Sequence, residues 1–405
     1  MNGSAVSVLL LVLALNPGLA NAADMPGQRF SISPASLPKP FATPAVDDSP
    51  KVVSKSASAA LTAPSGFTVS VFAANVQNAR WMTVAPNGDV FLAESDPGKV
   101  VVLRPSANGA RASRISTYAS GFAQLHGLAI HDGSLYVADV KSLWRLPYTD
   151  GALRGTGKRT HIADTTPPQG QGHFTRDIVF DSKGNLFLTI GSKDNLAENP
   201  IPYASVQQVN ANGTLTTFAS GLRNPVGIAF YPGTDNLFVT VNERDGLGDN
   251  LPPDYFTQIR QGDFFGWPYA YAGSHPDPTF GAKRPDLVTK TKTPDVLFQA
   301  HSAPLGLVFY EGNQFPAEYK GDAFIALHGS WNSSHPTGYK IVRVHFANGH
   351  PENAYTNFVT GWWDGNSVPA RVWGRPVGLV VAKDGSLLIA DDKNNTVWRV
   401  AYKGK

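Results

Sequence analysis

The sequence contains no cysteine among its 405 residues. This absence excludes disulfide bonds, thiolate zinc sites, cysteine nucleophiles and covalently attached c-type haem, which requires a C-x-x-C-H motif. If the protein carries out redox chemistry, its electrons must therefore leave to a separate carrier, such as a cytochrome or a quinone.

Charged residues and long apolar runs are also scarce. Asp, Glu, Lys and Arg make up 16% of the chain and leave a net charge of only +3. No cluster of Lys and Arg marks a nucleic-acid groove, so we expect no nucleic-acid partner. After the N-terminal segment, no apolar stretch approaches the roughly 18 residues that would suggest a membrane-spanning helix.

Residues 1–22 predict a signal peptide. Val6–Leu15 forms a short apolar core, and Ala20-Asn21-Ala22 gives a small-x-small cleavage pattern, although no Lys or Arg precedes the core. The alternative is a short buried segment. We therefore expect export, with a periplasmic or secreted location. Residues 23–60 are rich in Pro, Ser and Ala and predict a flexible lead-in to a folded domain over residues 64–402.

One pattern recurs six times: a short apolar strand, a turn with glycine, and a second strand that ends in small or acidic residues. The repeats begin at Trp81, Gly127, Asp177, Gly227, Gly306 and Gly378. Multi-stranded repeats of roughly 40–50 residues are typical of propeller blades. We therefore predict an all-β fold, a six-bladed β-propeller with four-stranded antiparallel blades. Phe67–Phe72 is expected to pair with Thr396–Val400. An open β-sandwich would not need six copies of one motif.

Polar residues stand just before each of the six first strands. They are Arg80, His126, His173 with Arg176, Arg223 with Asn224, His301, and Arg375. Because loops at one end of a propeller converge on its axis, these residues predict one shared site. The ring contains no carboxylate, so we expect it to be electropositive and to suit an anionic ligand and a neutral imidazole base. The neighbouring arginines argue against a three-histidine zinc site.

A second group of residues follows the second strand of the fourth repeat. The segment Asn242–Tyr255 carries four carboxylates interleaved with glycines. Calcium takes carboxylate oxygens and backbone carbonyls of this kind, which makes the segment a candidate calcium site. The spacing is not that of an EF-hand, and a solvated acidic turn is the alternative.

These motifs resemble the soluble quinoprotein glucose dehydrogenases, and more closely the related sorbosone and pyranose dehydrogenases. The resemblance covers roughly residues 64–402. The segments that carry it are His173–Arg176, Gly221–Gly227, Asn242–Tyr255, Gly262–Pro268, His301–Gly306 and His328–Asn332. It implies a six-bladed propeller that holds pyrroloquinoline quinone (PQQ) above a calcium ion, and a sugar or sugar-derived aldehyde or alcohol as substrate.

The resemblance also assigns roles to residues. His173 corresponds to the catalytic base, and Arg223 with Asn224 to the pair beside the quinone, where Arg223 stabilises developing negative charge. Asp245 and Gly246 correspond approximately to the calcium-binding carbonyls, and Arg375 to an arginine that contacts the cofactor.

Further cofactor contacts are expected from aromatic and histidine residues. Trp331 and Trp373 stand where the glucose enzymes carry a lysine and a second arginine, and their rings could stack on a planar cofactor. His126 and His301 are expected to contact the cofactor as members of the ring. Two alternatives remain at this level: a calcium-dependent propeller hydrolase such as a lactonase, and a non-catalytic propeller that binds glycan or protein.

Overall fold

A computed structural model describes residues 24–167 and 170–404. The predicted signal peptide lies outside these residues. The described chain is built almost entirely of short strands, with one α-helix at Pro285–Lys290 and 3-10 turns at Pro34–Ser36, Gly281–Lys283 and Ala317–Tyr319. No helix in the described ranges combines the length and apolarity needed to cross a membrane.

The first three repeats fold into four-stranded antiparallel blades, each numbered from its innermost strand outward. Blade 1 comprises Ala79–Val84, Val90–Glu94, Lys99–Pro105 and Ala112–Ser120. Blade 2 comprises Gly127–His131, Ser134–Ala138, Ser142–Pro147 and Thr160–Asp164. Blade 3 comprises Ile178–Phe180, Leu186–Ile190, Ser205–Val209 and Leu215–Ser220.

The last three repeats form blades of the same kind. Blade 4 comprises Asn224–Phe230, Leu237–Asn242, Tyr255–Ile259 and Val296–Leu297. Blade 5 comprises Pro304–Phe309, Ala323–Leu327, Lys340–Val344 and Tyr355–Val359, with Arg29–Phe30 as a fifth strand. Blade 6 comprises Pro376–Val381, Leu387–Asp391, Thr396–Tyr402 and Phe67–Ala74. Two-stranded ladders join Ala270–Tyr271 to His275–Pro276, Lys51–Val52 to Arg371–Val372, and Phe346–Ala347 to His350–Pro351.

The ring closes through blade 6. Its outermost strand, Phe67–Ala74, pairs antiparallel with the last strand, Thr396–Tyr402, from Phe67 opposite Tyr402 to Ala74 opposite Thr396. The predicted partnership is therefore confirmed, as is the six-bladed propeller. The inner strands of neighbouring blades contact one another around the whole ring.

Glycine at one position in each of four inner strands allows this close approach. A Cβ atom at these positions would lie within 3.0 Å of a carbonyl oxygen of the next blade, a distance that real Cβ atoms do not adopt. The four positions are Gly127, Gly227, Gly306 and Gly378. Trp81 and Asp177 occupy the same repeat position in blades 1 and 3.

Apolar side chains fill the spaces between neighbouring blades. Between blades 4 and 5, for example, Phe238, Phe309 and Phe346 meet edge to face with ring centroids 5.2–5.5 Å apart. Such aromatic pairs fill the wedge that opens between radiating sheets and add to the stabilisation from burial. The rigid inter-blade packing fixes the loops at each end of the axis.

The segment predicted as a flexible lead-in instead lies along the propeller. We call residues 24–62 the N-terminal strap. Arg29–Phe30 pairs with blade 5, Lys51–Val52 runs parallel to Arg371–Val372, and the backbones of Thr62 and Thr360 bond to each other. The fully buried Lys340 ammonium is 2.9 Å from the Asp24 carboxylate. These contacts were not visible in the sequence because the strap follows no repeat and pairs with distant strands.

Candidate functional site

The predicted polar residues lie at one end of the propeller, which we call the mouth. Two sets of loops meet there: those that lead into the inner strands, and those that leave the second strands. Neighbouring residues act on one another around the ring. Burial, and then the charges of Arg80 and Arg176, lower the pKa of His126, and burial, and then the charge of Arg223, lower that of His173. The structure therefore brings the predicted ring together.

His173 is held by the loop that follows the second strand of its own blade. Its Nδ1 atom is 2.7 Å from the carbonyl oxygen of Ser192, and its backbone N–H donates to the same oxygen. Gly172 permits this approach, because a Cβ there would collide with the backbone at Ser192 and Lys193. A carbonyl can only accept, so Nδ1 carries the proton and Nε2 of the neutral ring has a free lone pair.

The electrostatic surroundings keep His173 neutral. Burial, and then the positive charge of Arg223, lower its pKa to about 4. The imidazole is therefore proton-free at Nε2 throughout the neutral range. A histidine of this kind can accept a proton from a bound hydroxyl group.

Arg223 is the centre of a buried polar network. Its guanidinium donates to the side chain of Asn195 at 2.9 Å, to the carbonyl oxygen of Glu243 at 2.6 Å and to the Asp245 carboxylate at 3.3 Å. Only 6% of the residue is exposed. Asn224 beside it is also buried, and its Oδ1 accepts from the Thr175 hydroxyl at 3.4 Å. These bonds fix the pair before any ligand arrives.

The network continues from Asp245 into blade 5. The second oxygen of Asp245 accepts from the Asn332 amide at 2.7 Å, and that amide also bonds Nδ1 of His301 at 3.0 Å. Nε2 of His301 donates to the carbonyl of Gly248 at 2.9 Å. Both nitrogens of His301 are thus engaged within the protein, which leaves no polar atom of this side chain for the expected cofactor contact.

Carboxylates stand in the mouth, contrary to the prediction that the ring has none. Asp392 pairs with Arg80 at 2.8 Å and with His328 Nε2 at 3.1 Å, and all three residues are largely buried. Burial and the charge of Arg375 lower the pKa of His328 to about 3. Asp392 was missed because it follows a second strand, although acidic residues ending second strands were part of the repeat pattern.

Arg375 lies beside this group without a carboxylate partner among the described residues. Its guanidinium donates to the backbone carbonyls of His328 at 3.0 Å and Gly329 at 2.5 Å, and it stands 5.6 Å from the centre of the Tyr339 ring. A guanidinium held by neutral carbonyls keeps its full charge for an anionic ligand.

The candidate calcium segment offers oxygens, although they do not form a cluster. No group of three or more His, Cys, Asp or Glu residues in the described ranges could hold a metal ion. The carbonyl of Asp245 already accepts from Asn195 and Arg244, whereas Gly246 adopts a left-handed conformation with φ +92°. The left-handed turn sets the direction of its carbonyl, and glycine is the residue that adopts it without strain.

Buried acids surround this segment. Burial raises the pKa of Glu243 to about 8 and that of Asp254 to about 6. The two oxygens of Asp254 each accept a backbone N–H at 2.8 Å, from Glu243 and Ala303. Asp254 therefore ties blade 4 to the start of blade 5.

The two tryptophans predicted to stack on a cofactor lie in different surroundings. Trp331 is 44% exposed at the rim, next to Asn332. Trp373 is buried in the core, where its ring packs against Trp362 and Trp398 and its indole N–H donates to the Gly361 carbonyl at 2.8 Å. Trp373 has little free ring surface, so its placement does not support the expected stacking.

Comparison with known proteins agrees with this architecture. The sequence profile described as glucose/sorbosone dehydrogenase matches residues 76–335, which is well over half of the chain, and a TrAA12-like profile matches residues 281–403. The chain belongs to the glucose/sorbosone dehydrogenase family. The resemblance identified from the sequence motifs is thereby confirmed.

Several known proteins and solved structures are similar to the chain. An uncharacterised protein of Borreliella burgdorferi is 31% identical, over 85% of this chain and 91% of its own length. The PQQ-dependent pyranose dehydrogenase of Coprinopsis cinerea is 28% identical over 67% of this chain, and the match spans 45% of that longer enzyme. The holo PQQ domain of the Coprinopsis pyranose dehydrogenase superposes with a TM-score of 0.70 and 20% identity, covering 87% of this chain and all of that domain.

Proposed function

We propose that this protein oxidises a sugar, or a sugar-derived aldehyde or alcohol, with PQQ bound at the mouth of the propeller. The observation that carries this proposal is the position of His173, a partly buried, neutral imidazole with a free Nε2 beside the fixed Arg223–Asn224 pair. Membership of the glucose/sorbosone dehydrogenase family supports it, as does the similarity to a PQQ-dependent pyranose dehydrogenase.

The mouth fits a planar, anionic quinone. PQQ carries three carboxylates, and Arg375 offers a guanidinium that no carboxylate of the described chain neutralises. Arg223 and Asn224 supply hydrogen-bonding groups on the opposite side. Trp331 adds an exposed aromatic ring at the rim. PQQ, when bound, would supply the acceptor for a hydride, which carries the two electrons of the oxidation.

The calcium candidate fits by the type of its donor atoms. Asp245 and Gly246 offer carboxylate and carbonyl oxygens, which are the ligands that calcium takes. They are few for an ion that binds about 6–8 oxygens, so the coordination would be completed by oxygens of the cofactor and of water. We therefore expect calcium and cofactor to bind more tightly together than separately.

The protein residues would divide the chemistry as follows. Nε2 of His173 accepts the proton of the substrate hydroxyl group, or of an aldehyde hydrate, as hydride leaves the adjacent carbon. The Arg223 guanidinium is held by Asn195 and Asp245 and places positive charge where negative charge develops on the acceptor. Because these groups are fixed by the protein, little reorganisation is needed during the reaction.

The physiological setting is part of the proposal. The absence of cysteine rules out a c-type haem in this chain, so we expect a separate electron acceptor such as a cytochrome or a quinone. We propose an exported protein that works in the periplasm or outside the cell.

The experiment that tests the function is reconstitution with PQQ and Ca²⁺, followed by addition of a panel of sugars and aldehydes. The quinone absorption band should bleach when a substrate is added, and turnover should appear with an artificial electron acceptor. Ester or lactone cleavage without bleaching would instead identify a hydrolase. Binding of glycans with neither reaction would identify a non-catalytic propeller.

A further inference from the structure

A second polar cluster lies on the side of the mouth formed by blades 1–3. His126 has no exposed surface, and neither of its ring nitrogens has a hydrogen-bond partner among the described residues. Its ring lies against Trp81, with centroids 4.4 Å apart, and meets Phe174 edge to face. A buried imidazole always has at least one N–H to satisfy, so these two orphan nitrogens indicate an occupant that the protein does not supply.

Arg176 contributes an uncompensated charge to this cluster. It is fully buried and donates to the carbonyls of Thr165, His173 and Thr175 at 2.6–3.0 Å. Its Nη2 has no partner in the described chain, and no carboxylate there lies within salt-bridge distance. Burial lowers its pKa to about 10, so the guanidinium remains charged at neutral pH.

Arg80 completes the cluster and fixes its net charge. Its Nη1 pairs with Asp392 at 2.8 Å, whereas its buried Nε has no partner. The neighbouring Asp177 is engaged elsewhere, because its two oxygens accept the backbone N–H groups of Ile178 and Ile228. The charge of Arg176 is therefore left without a direct carboxylate contact among the described residues. An isolated buried charge is strongly unfavourable without a counter-charge.

We propose that Arg80, His126 and Arg176 bind a small monovalent inorganic anion of the chloride type in the axis of the propeller. Water could satisfy the orphan N–H groups but could not balance the charge. A monovalent ion matches the single uncompensated charge, whereas a sulfate or phosphate would bring excess negative charge into a site with aromatic walls. The orphan atoms have no exposed surface, which separates this site from a cofactor bound in the open mouth.

The anion would also hold Arg176 in place. Nη1 of Arg176 donates to the carbonyl of His173 itself. An anion on the opposite side of the guanidinium therefore stabilises the backbone that carries His173. This consequence for catalysis rests on the proposed function, whereas anion binding itself does not.

The decisive experiment is crystallographic and uses the wild-type protein without cofactor. Crystals grown in sulfate buffer and transferred to sodium bromide should show an anomalous bromide peak at hydrogen-bonding distance from Arg176 Nη2 and His126. Density explained by water alone, with no anomalous signal at this cluster, would overturn the proposal. If addition of PQQ expels the bromide, the cluster belongs to a carboxylate of the cofactor, which also overturns it.

Thermal unfolding gives an independent readout. Relative to sulfate at equal ionic strength, bromide at about a hundred times its dissociation constant should raise the melting temperature by about 3 °C. Arg176→Gln should lose this bromide-specific rise, while Arg114→Gln, at an exposed arginine, should retain it. Should Arg176→Gln not fold, Arg176→Lys keeps the charge, and its rise should be reduced. A rise that is equal in bromide and sulfate would contradict specific binding.

Discussion

The two sides of the mouth satisfy their polar groups in different ways. On the acidic side, in blades 4 and 5, Asp245 and Asp254 are paired with arginine, amide or backbone donors. On the cationic side, in blades 1–3, His126 and Arg176 keep polar atoms without partners in the described chain. Asp245 and Asp254 are thus held by the protein's own donors, although Glu243 Oε1 nearby has no partner among the described residues, whereas the proposed anion would complete the contacts of His126 and Arg176. His173 lies between the two sides.

The largest effect is expected from His173→Ala. This substitution tests whether His173, which lies between the two sides, is the general base. Loss of a general base typically lowers turnover by about 10²–10⁴-fold, and cofactor affinity and melting temperature should change little. The wild-type rate should fall as the pH drops through about 4, where Nε2 of the free enzyme becomes protonated. Steady-state kinetics across a range of pH measures the loss of turnover and the pH dependence of the wild-type rate. His350→Ala, at an exposed histidine, is the control.

A different result would remove His173 from the chemistry. A loss of about 1–3 kcal/mol in the free energy of unfolding, with nearly unchanged turnover, would make it a structural residue. His126 stands at the equivalent position one blade earlier, but its complete burial is incompatible with direct substrate contact, so it could not replace His173 as the base.

Asp245→Asn tests whether the acidic side serves the metal. The substitution keeps a polar side chain but removes the charge that pairs with Arg223 and faces the proposed ion. We expect calcium affinity, measured by titration of the PQQ-loaded protein, to fall by about 10–100-fold, as is typical when groups that support a metal site are changed. Asp96→Asn, at an exposed aspartate, is the matched control. Unchanged calcium affinity would place the ion elsewhere.

The smallest effect is expected from Thr43→Ala in the N-terminal strap. The Thr43 hydroxyl accepts the backbone N–H of Asp249 at 2.8 Å, and the neighbouring Phe41 N–H bonds the Leu247 carbonyl at 2.9 Å. These two bonds support the acidic side. Loss of this hydrogen bond should lower the free energy of unfolding by about 1 kcal/mol, measured by urea denaturation. The bromide-induced rise should be unaffected, and its loss would show that the two sides are coupled.

Much of the fold could be predicted because the information in each blade is local. The turn glycines and alternating apolar residues of each repeat indicate two paired strands, and six copies define a ring. His173, Arg223 and Arg375 stand at equivalent positions in their repeats, just before the inner strand, and this position predicted that they lie at one mouth. The same reasoning failed for Trp373. The position of a residue within its repeat indicates that it lies near the mouth, but it does not indicate the direction of its side chain.

The charge balance of the site was harder to predict for a related reason. The partner of Arg80 is Asp392, at the other end of the chain, and the partner of Arg223 lies in a loop beyond the next strand. Such pairs form only when the ring closes. The contacts of the strap were missed for the same reason. Its few apolar contacts are with blades 4–6, which are distant in the sequence, and its own sequence shows no periodic pattern of apolar residues.

Closure of the ring also has a consequence for protein synthesis. Phe67–Ala74 emerges from the ribosome early, whereas its partner Thr396–Tyr402 is made after every other blade strand. Until then its edge is an open template for strands of other chains. Contacts between distant parts of a sequence also form slowly. We therefore expect the nascent chain to be prone to association until its last strand is made. Truncation of Thr396–Tyr402 would leave two strand edges unpaired, those of Phe67–Ala74 and Leu387–Asp391.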